Sequence, residues 1–356
     1  AHKTQNCFLE IFIKGKQNAM GMKNTIIKNV NPDSSISTIR LDSHSSLKNL
    51  KIDSNRHNRT GTDTGVGIGT VAGVEDIHLE EVWSTGAPYD AFLFEGSDFV
   101  FERCIAEDTG DDGFNSMTVD GWILSDCIAR NCSHDGFHLH NNPKNIAVTG
   151  CLSYSNGDNG LKISYTTGNS AENIVVDGCI FHDNTNRGVV IERNSTHCVI
   201  ANSIVYNNTG YGMQIEGIDN IIEACHVFDN NLAGNEWGIY VKGTRNKVSD
   251  CVLANNKLYS YDGIDLNIDG CQVYSHDIHF SADPSNLKTG LTIKNCKVMD
   301  GKIIVTRCNY SEVKNNYIEN SPGYGIHLAN SCGYARIEEN EIMNAGSYGI
   351  YIDSSS

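Results

Sequence analysis

The sequence predicts an all-β chain wound as a right-handed parallel β-helix, a solenoid of about 10–12 coils with three short strands per coil. Three observations predict it: a repeat of about 23–28 residues, apolar alternation inside each repeat, and a cysteine or asparagine that returns once per repeat. The repeat emerges when DFVFERCIAEDTGDDGFNSM (98–117) is set above GWILSDCIARNCSHDGFHLH (121–140) and NIAVTGCLSYSNGDNGLKIS (145–164). It continues to YARIEENEIMNAGSYGIYI near the end of the sequence. Each repeat holds two or three runs of alternating apolar residues, which is how a half-buried strand is written. One such repeat cannot bury its own apolar side, whereas a stack of them can.

The punctuation of the repeat supports the coil. Cys104, Cys127, Cys151, Cys179, Cys225, Cys251 and Cys296 fall at one point of it, and Asn202, Asn316 and Asn340 take that point elsewhere. Thirteen cysteines without a CxxC pair read as stacked interior thiols rather than as a zinc site or a disulfide framework. Asn131, Asn156, Asn184, Asn207, Asn230, Asn255, Asn320 and Asn344 mark a turn, where asparagine tolerates left-handed backbone. A glycine then makes the bend into the next strand, and a β-branched residue there is costly if φ is positive. The chain is expected to be one domain over 1–356: first coils and cap (1–73), regular coils (74–269), an irregular coil with a protruding loop (270–311) and last coils (312–356).

Composition narrows the partners. A net charge of −16 argues against a nucleic acid held by phosphate contacts. No run is apolar for long enough to span a bilayer as a helix. An acidic chain can bind an acidic glycan only through a local basic or metal-bearing patch.

In a solenoid the chemistry is read down columns. The residue before the bend runs Asp90, Asp112, Asp135, Asn159, Arg187, Tyr211, Trp237 and Asp262. Strands about 4.8 Å apart would set Asp90, Asp112 and Asp135 in a carboxylate ladder, reinforced by Asp111 and Asp108. Such close acids share a proton or bind a cation, so Asp111, Asp112 and Asp135 are candidate ligands for Ca2+. The competing reading is that aspartate before glycine is a common turn. After the bend, alternate residues face outward: Asn115, then His138 and His140, then Lys162, Glu192, Gln214 and Glu216. His134 stands at the bend beside Asp135. The imidazoles suit proton transfer better than metal binding, and Lys162 suits either a base or a partner for a substrate carboxylate. Arg187 and Arg193, with Tyr165 and Tyr211, would add a charge clamp and sugar-stacking rings.

With these residues the chain resembles the pectin-lyase-like superfamily of β-helices, and within it the catalytic modules of mannuronan C5-epimerases and the tailspike or tail-appendage depolymerases of phages. The resemblance rests on DSNRHN (53–58), GDDGF (110–114), SHDGFHLH (133–140) and NGDNGLKIS (156–164), and covers roughly residues 45–245. It departs from the epimerases where their Tyr-Gly-Phe-Asp-Pro-His segment meets Tyr89-Asp90-Ala91-Phe92-Leu93-Phe94, so the aspartate position is apolar. The epimerase aspartate of the next coil matches Asp112, and its histidine falls at His134 or Asp135. The resemblance implies an enzyme that cleaves an acidic polysaccharide by β-elimination or hydrolysis, outside the cell or on a virion or cell surface. Asp112, Asp135, His134, His138 and Lys162 would do the chemistry, while Asp90, Asn115, His140, Arg187, Glu192, Arg193, Gln214 and Glu216 would hold the substrate. The alternative is a non-catalytic glycan-binding module such as a receptor-binding appendage or adhesin, and a homotrimer is compatible with either.

Overall fold

Alternating side chains leave each short strand with one apolar face, and each strand buries that face by stacking on the equivalent strand of the next coil. A computed structural model describes residues 11–13, 18–28, 37–55, 65–163, 170–231, 234–282 and 288–353. Tyr165, the second half of the DSNRHN motif (56–58), Cys7 and the core of the 280s loop lie outside the described residues. The described residues hold strands and no helix, and every recorded strand pair is parallel. Two compact units divide the chain, Ala1–Ile174 and Val175–Ser356.

In the first unit the coil repeats every 22 to 24 residues across the segment that matters most here. Phe92, Phe114, Phe137 and Leu161 are successive strand partners pointing inward. The phenylalanine rings stack at 4.6 and 4.9 Å, so strand spacing and ring thickness reinforce each other. The alternate residues Asn115, His138 and Lys162 are likewise partners and take the outward side. The bend before these strands closes through backbone bonds from Ala91 N to Asp112 O (3.1 Å), Gly113 N to Asp135 O (2.9 Å) and Gly136 N to Asn159 O (2.9 Å).

The second unit repeats this plan with strands such as Val189–Ile191, Met213–Ile215 and Trp237–Thr244. Its interior asparagines chain together: Asn184 N donates to Asn208 Oδ1, Asn208 N to Asn230 Oδ1 and Asn230 N to Asn256 Oδ1 at 3.0–3.1 Å. Each side chain thereby caps a buried amide of the coil before it.

Several column assignments need correction. The single asparagine column is two adjacent ones: Asn131, Asn207, Asn255, Asn320 and Asn344 carry positive φ, whereas Asn156, Asn184 and Asn230 belong to the buried ladder. Ser203, not Asn202, continues the cysteine column, because Cys179 N donates to Ser203 Oγ, and Asn202 is the left-handed residue before it. Asp262 is not in the bend column. A register shift pairs Gly243 with Gly263 and Trp237 with Lys257, so Lys257 takes that place. The twelve described cysteines are all free and buried, and thiols such as Cys127 donate to interior carbonyls. Finally, Gly113 and Gly136 are glycines for want of space and not for their φ, which lies outside the left-handed region.

Candidate functional site

Two neighbouring columns at the bend of the first unit build the site. In the inner column each aspartate turns one oxygen to the backbone of the next coil. Asp90 Oδ1 accepts Asp112 N (3.0 Å), Asp112 Oδ1 accepts Asp135 N (2.9 Å), and Asp135 Oδ1 accepts Asn159 N (2.9 Å) and Asn159 Nδ2 (2.8 Å). Like the interior asparagines these side chains cap buried amides, but in the opposite direction along the solenoid, and the three acids are left 0–3% exposed. Their second oxygens serve the outward strands. Asn115 Nδ2 bridges Asp90 Oδ2 and Asp112 Oδ2 at 3.2 Å each, and Asp112 Oδ2 lies 2.7 Å from His138 Nδ1. Asp135 Oδ2 is 3.8 Å from the same nitrogen.

The outer column lies one residue earlier in each coil. Asp111 N donates to Tyr89 O, His134 N to Asp111 O and Asp158 N to His134 O at 3.0–3.2 Å. The Asp111 carboxylate pairs with the His134 imidazole and also meets the Tyr89 phenol. Both columns open on a cavity of about 280 Å3, which His138, His140 and Lys162 line together with Tyr89, His134 and Asp158. The His138 and His140 rings stack at 4.8 Å. Asn115 Oδ1, on the same cavity, is buried and has no hydrogen-bond partner among the described residues.

Burial governs the charges. It pushes Asp135 up to about 6, with the neighbouring Asp112 charge adding to the effect and His138 opposing it. Burial, then the charges of Asp112 and Asp111, hold Asp90 well above the ordinary carboxylate range. Burial followed by Asp111 raises the Tyr89 phenol to about 12, while burial and then the neighbouring His138 and Lys162 lower His140. Since Asp135 has a higher pKa folded than unfolded, the fold binds the extra proton between about pH 4 and pH 6. Its contribution is complete below that window and is lost as pH rises through it. Thermal melts should therefore show Asp135→Asn flattening the fall of stability between pH 4 and 6.5. An unchanged slope would mean that Asp135 ionises normally.

The structure thus brings Asp111, Asp112, Asn115, His134, Asp135, His138, His140 and Lys162 to one cavity. Asp90, expected against the substrate, has no exposed area and touches the site through the Asp112 amide and the Asn115 side chain. The remaining expected residues lie in the second unit. There Arg193 Nε and Gln214 Nε2 both donate to Glu216, at 3.0 and 2.7 Å. Arg187 stands 5.4 Å from the Tyr211 ring, and Glu192 follows the strand Val189–Ile191. Tyr89 and Asp158 are not singled out by the sequence columns, although both precede residues that are.

The expected calcium ligands do not form one cage. They divide into Asp111–Asp112–His134 and Asp112–Asp135–His138, each with two carboxylates and an imidazole within 4.8 Å. Calcium requires six to eight oxygens. One oxygen each of Asp112 and Asp135 is already committed to a buried amide. Each group offers an imidazole and few uncommitted carboxylate oxygens, a poor match to the all-oxygen shell of calcium.

Comparison with known proteins agrees with this architecture. The A-module of mannuronan C-5 epimerase AlgE4 from Azotobacter vinelandii superposes with a TM-score of 0.61 at 17% identity, covering 96% of this chain and 83% of that one. The AlgE6 A-module of the same organism gives 0.55 at 17% identity over 93% and 82%. The Streptococcus pneumoniae surface adhesin PfbA gives 0.45 at 10% identity over 89% and 83%. At these identities the likeness is one of fold. A search of the curated proteins gave no match. The model of the right-handed β-helix region matches residues 9–173, 168–266 and 237–356, and the chain therefore belongs to the right-handed β-helix family.

Proposed function

We propose that this protein cleaves a uronate-containing polysaccharide by β-elimination in the cavity of its first unit. The observation that carries the proposal is the buried Asp112 carboxylate held 2.7 Å from His138 Nδ1. Such a carboxylate fixes the Nδ1–H tautomer and leaves Nε2 as the base. Lys162, the strand partner of His138, supplies a cation for the uronate carboxylate, which makes the adjacent C5 proton removable. His138 takes that proton, the C5–H electrons form the C4=C5 double bond, and the C4–O4 bond breaks. The Tyr89 phenol, kept protonated by its raised pKa, hands a proton to the departing O4. The mannuronan epimerases named above act on a polyuronate, which favours this substrate class.

Hydrolysis by Asp112 and Asp135 fits less well. Those side chains are only 5% and 4% exposed and are pinned to the next coil. Glycosidases need two accessible carboxyls about 5 Å or more apart, flanking the bond. The test is incubation with a panel of polyuronates and neutral polysaccharides, following unsaturated-uronate absorbance and reducing ends together. Elimination is expected to raise both in step on a polyuronate. Reducing ends without absorbance would establish hydrolysis, and retention of the glycan with neither signal would leave a binding module.

A further inference from the structure

The corner that is charged in the first unit recurs at the same position of the repeat in the second, where it is aromatic. Gly188 N donates to Tyr211 O and Gly212 N to Trp237 O, which sets both rings in the bend column. The outward column beside them runs Gln214, Tyr240, Tyr259 and His279. The Trp237 ring lies 4.8 Å from Tyr211 and Tyr259 and 5.3 Å from Tyr240, and all four rings are half-buried. Stacking alone would explain rings that only cover one another. Two further facts point to a ligand. Two residues along the same strands, Glu216 and Lys242 line a cavity of about 360 Å3 with Arg193 and Asp262. Gln214 Oε1, whose amide nitrogen holds Glu216, is buried with no hydrogen-bond partner among the described residues.

We infer that this corner of the second unit is a separate polysaccharide-binding site. A pyranose ring has an apolar C–H face and a rim of hydroxyls. It matches rings with polar tips set beside a cavity of mixed charge. Trp237 and its tyrosine neighbours take the C–H face, while Glu216, Lys242 and Gln214 take the hydroxyls. The lining charges balance, two cations against two carboxylates, so the recognition is of hydroxyls and not of net charge. The inference does not rest on the elimination reading, since a site that only holds the chain has the same requirements.

Tryptophan emission of the full chain provides the test. Of the three tryptophans, Trp122 has no exposed area and Trp83 is covered by Lys51 at 3.3 Å, so Trp237 is placed to report binding. Titration with uronate-containing and neutral polysaccharides should give a saturable emission change that vanishes in Trp237→Phe. By affinity electrophoresis, Trp237→Ala combined with Tyr240→Ala should weaken binding about tenfold, the effect of losing an aromatic anchor. Lys242→Ala tests the cavity without disturbing the stack and should also weaken it. His138→Asn should leave the emission change intact, which separates this site from the cleavage site. No emission change with any polysaccharide, or wild-type binding by both the double variant and Lys242→Ala, would overturn the inference. So would a concentration-dependent dimer abolished by Trp237→Ala, which would make the corner a surface for a second copy.

Discussion

His138→Asn should lower turnover about a thousandfold, the scale of losing a positioned general base, while leaving the melting temperature nearly unchanged. Asparagine keeps a donor where Nδ1 stands, so the buried Asp112 oxygen retains its partner, but it has nothing in place of Nε2. His138→Ala should be equally inactive and less stable, because it leaves the Asp112 carboxylate short of a hydrogen bond at a cost of about 1–3 kcal/mol. Asp112→Asn tests the positioning role separately. An amide oxygen still accepts Asp135 N, as the interior asparagines show it can, yet its Nδ2 then donates to His138 Nδ1 and puts the ring proton on Nε2. Turnover should fall about a hundredfold or more with KM little changed, since substrate contacts remain. A variant whose KM rises while kcat holds would make Asp112 a binding group. Wild-type turnover in His138→Asn would remove the proposed base altogether.

The columns that build this site are partly legible in the amino-acid sequence, and where they mislead, the causes are physical. Bend glycines and the acids before them recur at near-constant spacing, so Asp112, Asp135 and the outward His138 and Lys162 align by eye. Depth cannot be read the same way. An aspartate before glycine looks like an exposed turn, yet here it folds one oxygen inward to cap the next coil and becomes buried. The appearance of Asn159 in the same column is the available clue, because asparagine can replace aspartate in capping an amide but not as a charge. Asp158 escapes notice, and Tyr89 is met only through the epimerase segment, because their column changes chemistry at every coil, from phenol to carboxylate to imidazole to carboxylate. Constant spacing misplaces Asp262 because the coil following Trp237 shifts register, and a fixed repeat length cannot reveal such a shift.

Gly136→Val should prevent the first unit from folding, and Gly136→Ala should already be strongly destabilising. The reason is space. A Cβ on Gly136 would stand 2.0 Å from Ser153 Oγ, 2.7 Å from Asn156 Nδ2 and 2.8 Å from Gly160 O. Ser153 Oγ donates to Gly160 O and accepts Asn156 Nδ2, so the methyl group would have to break a closed set of interior bonds. Forcing a group into a filled interior costs about 1–3 kcal/mol, and here unsatisfied buried polar atoms add about 1–3 kcal/mol more. Ala91, in the same column two coils earlier, is tolerated with no exposed area, so the bend does not itself demand glycine. This separates the two explanations of the column. If φ were the barrier, removing the neighbouring hydroxyl would not help. If space is the barrier, Ser153→Gly should recover part of the stability lost in Gly136→Ala. His134→Ala, a change at a side chain 67% exposed, serves as the neighbouring control and should melt within about 0.5 kcal/mol of wild type. Should Gly136→Val melt like wild type, the coil cannot be packed at this bend as described, and the spacing that sets Asp112 beneath His138 would have to be redrawn with it.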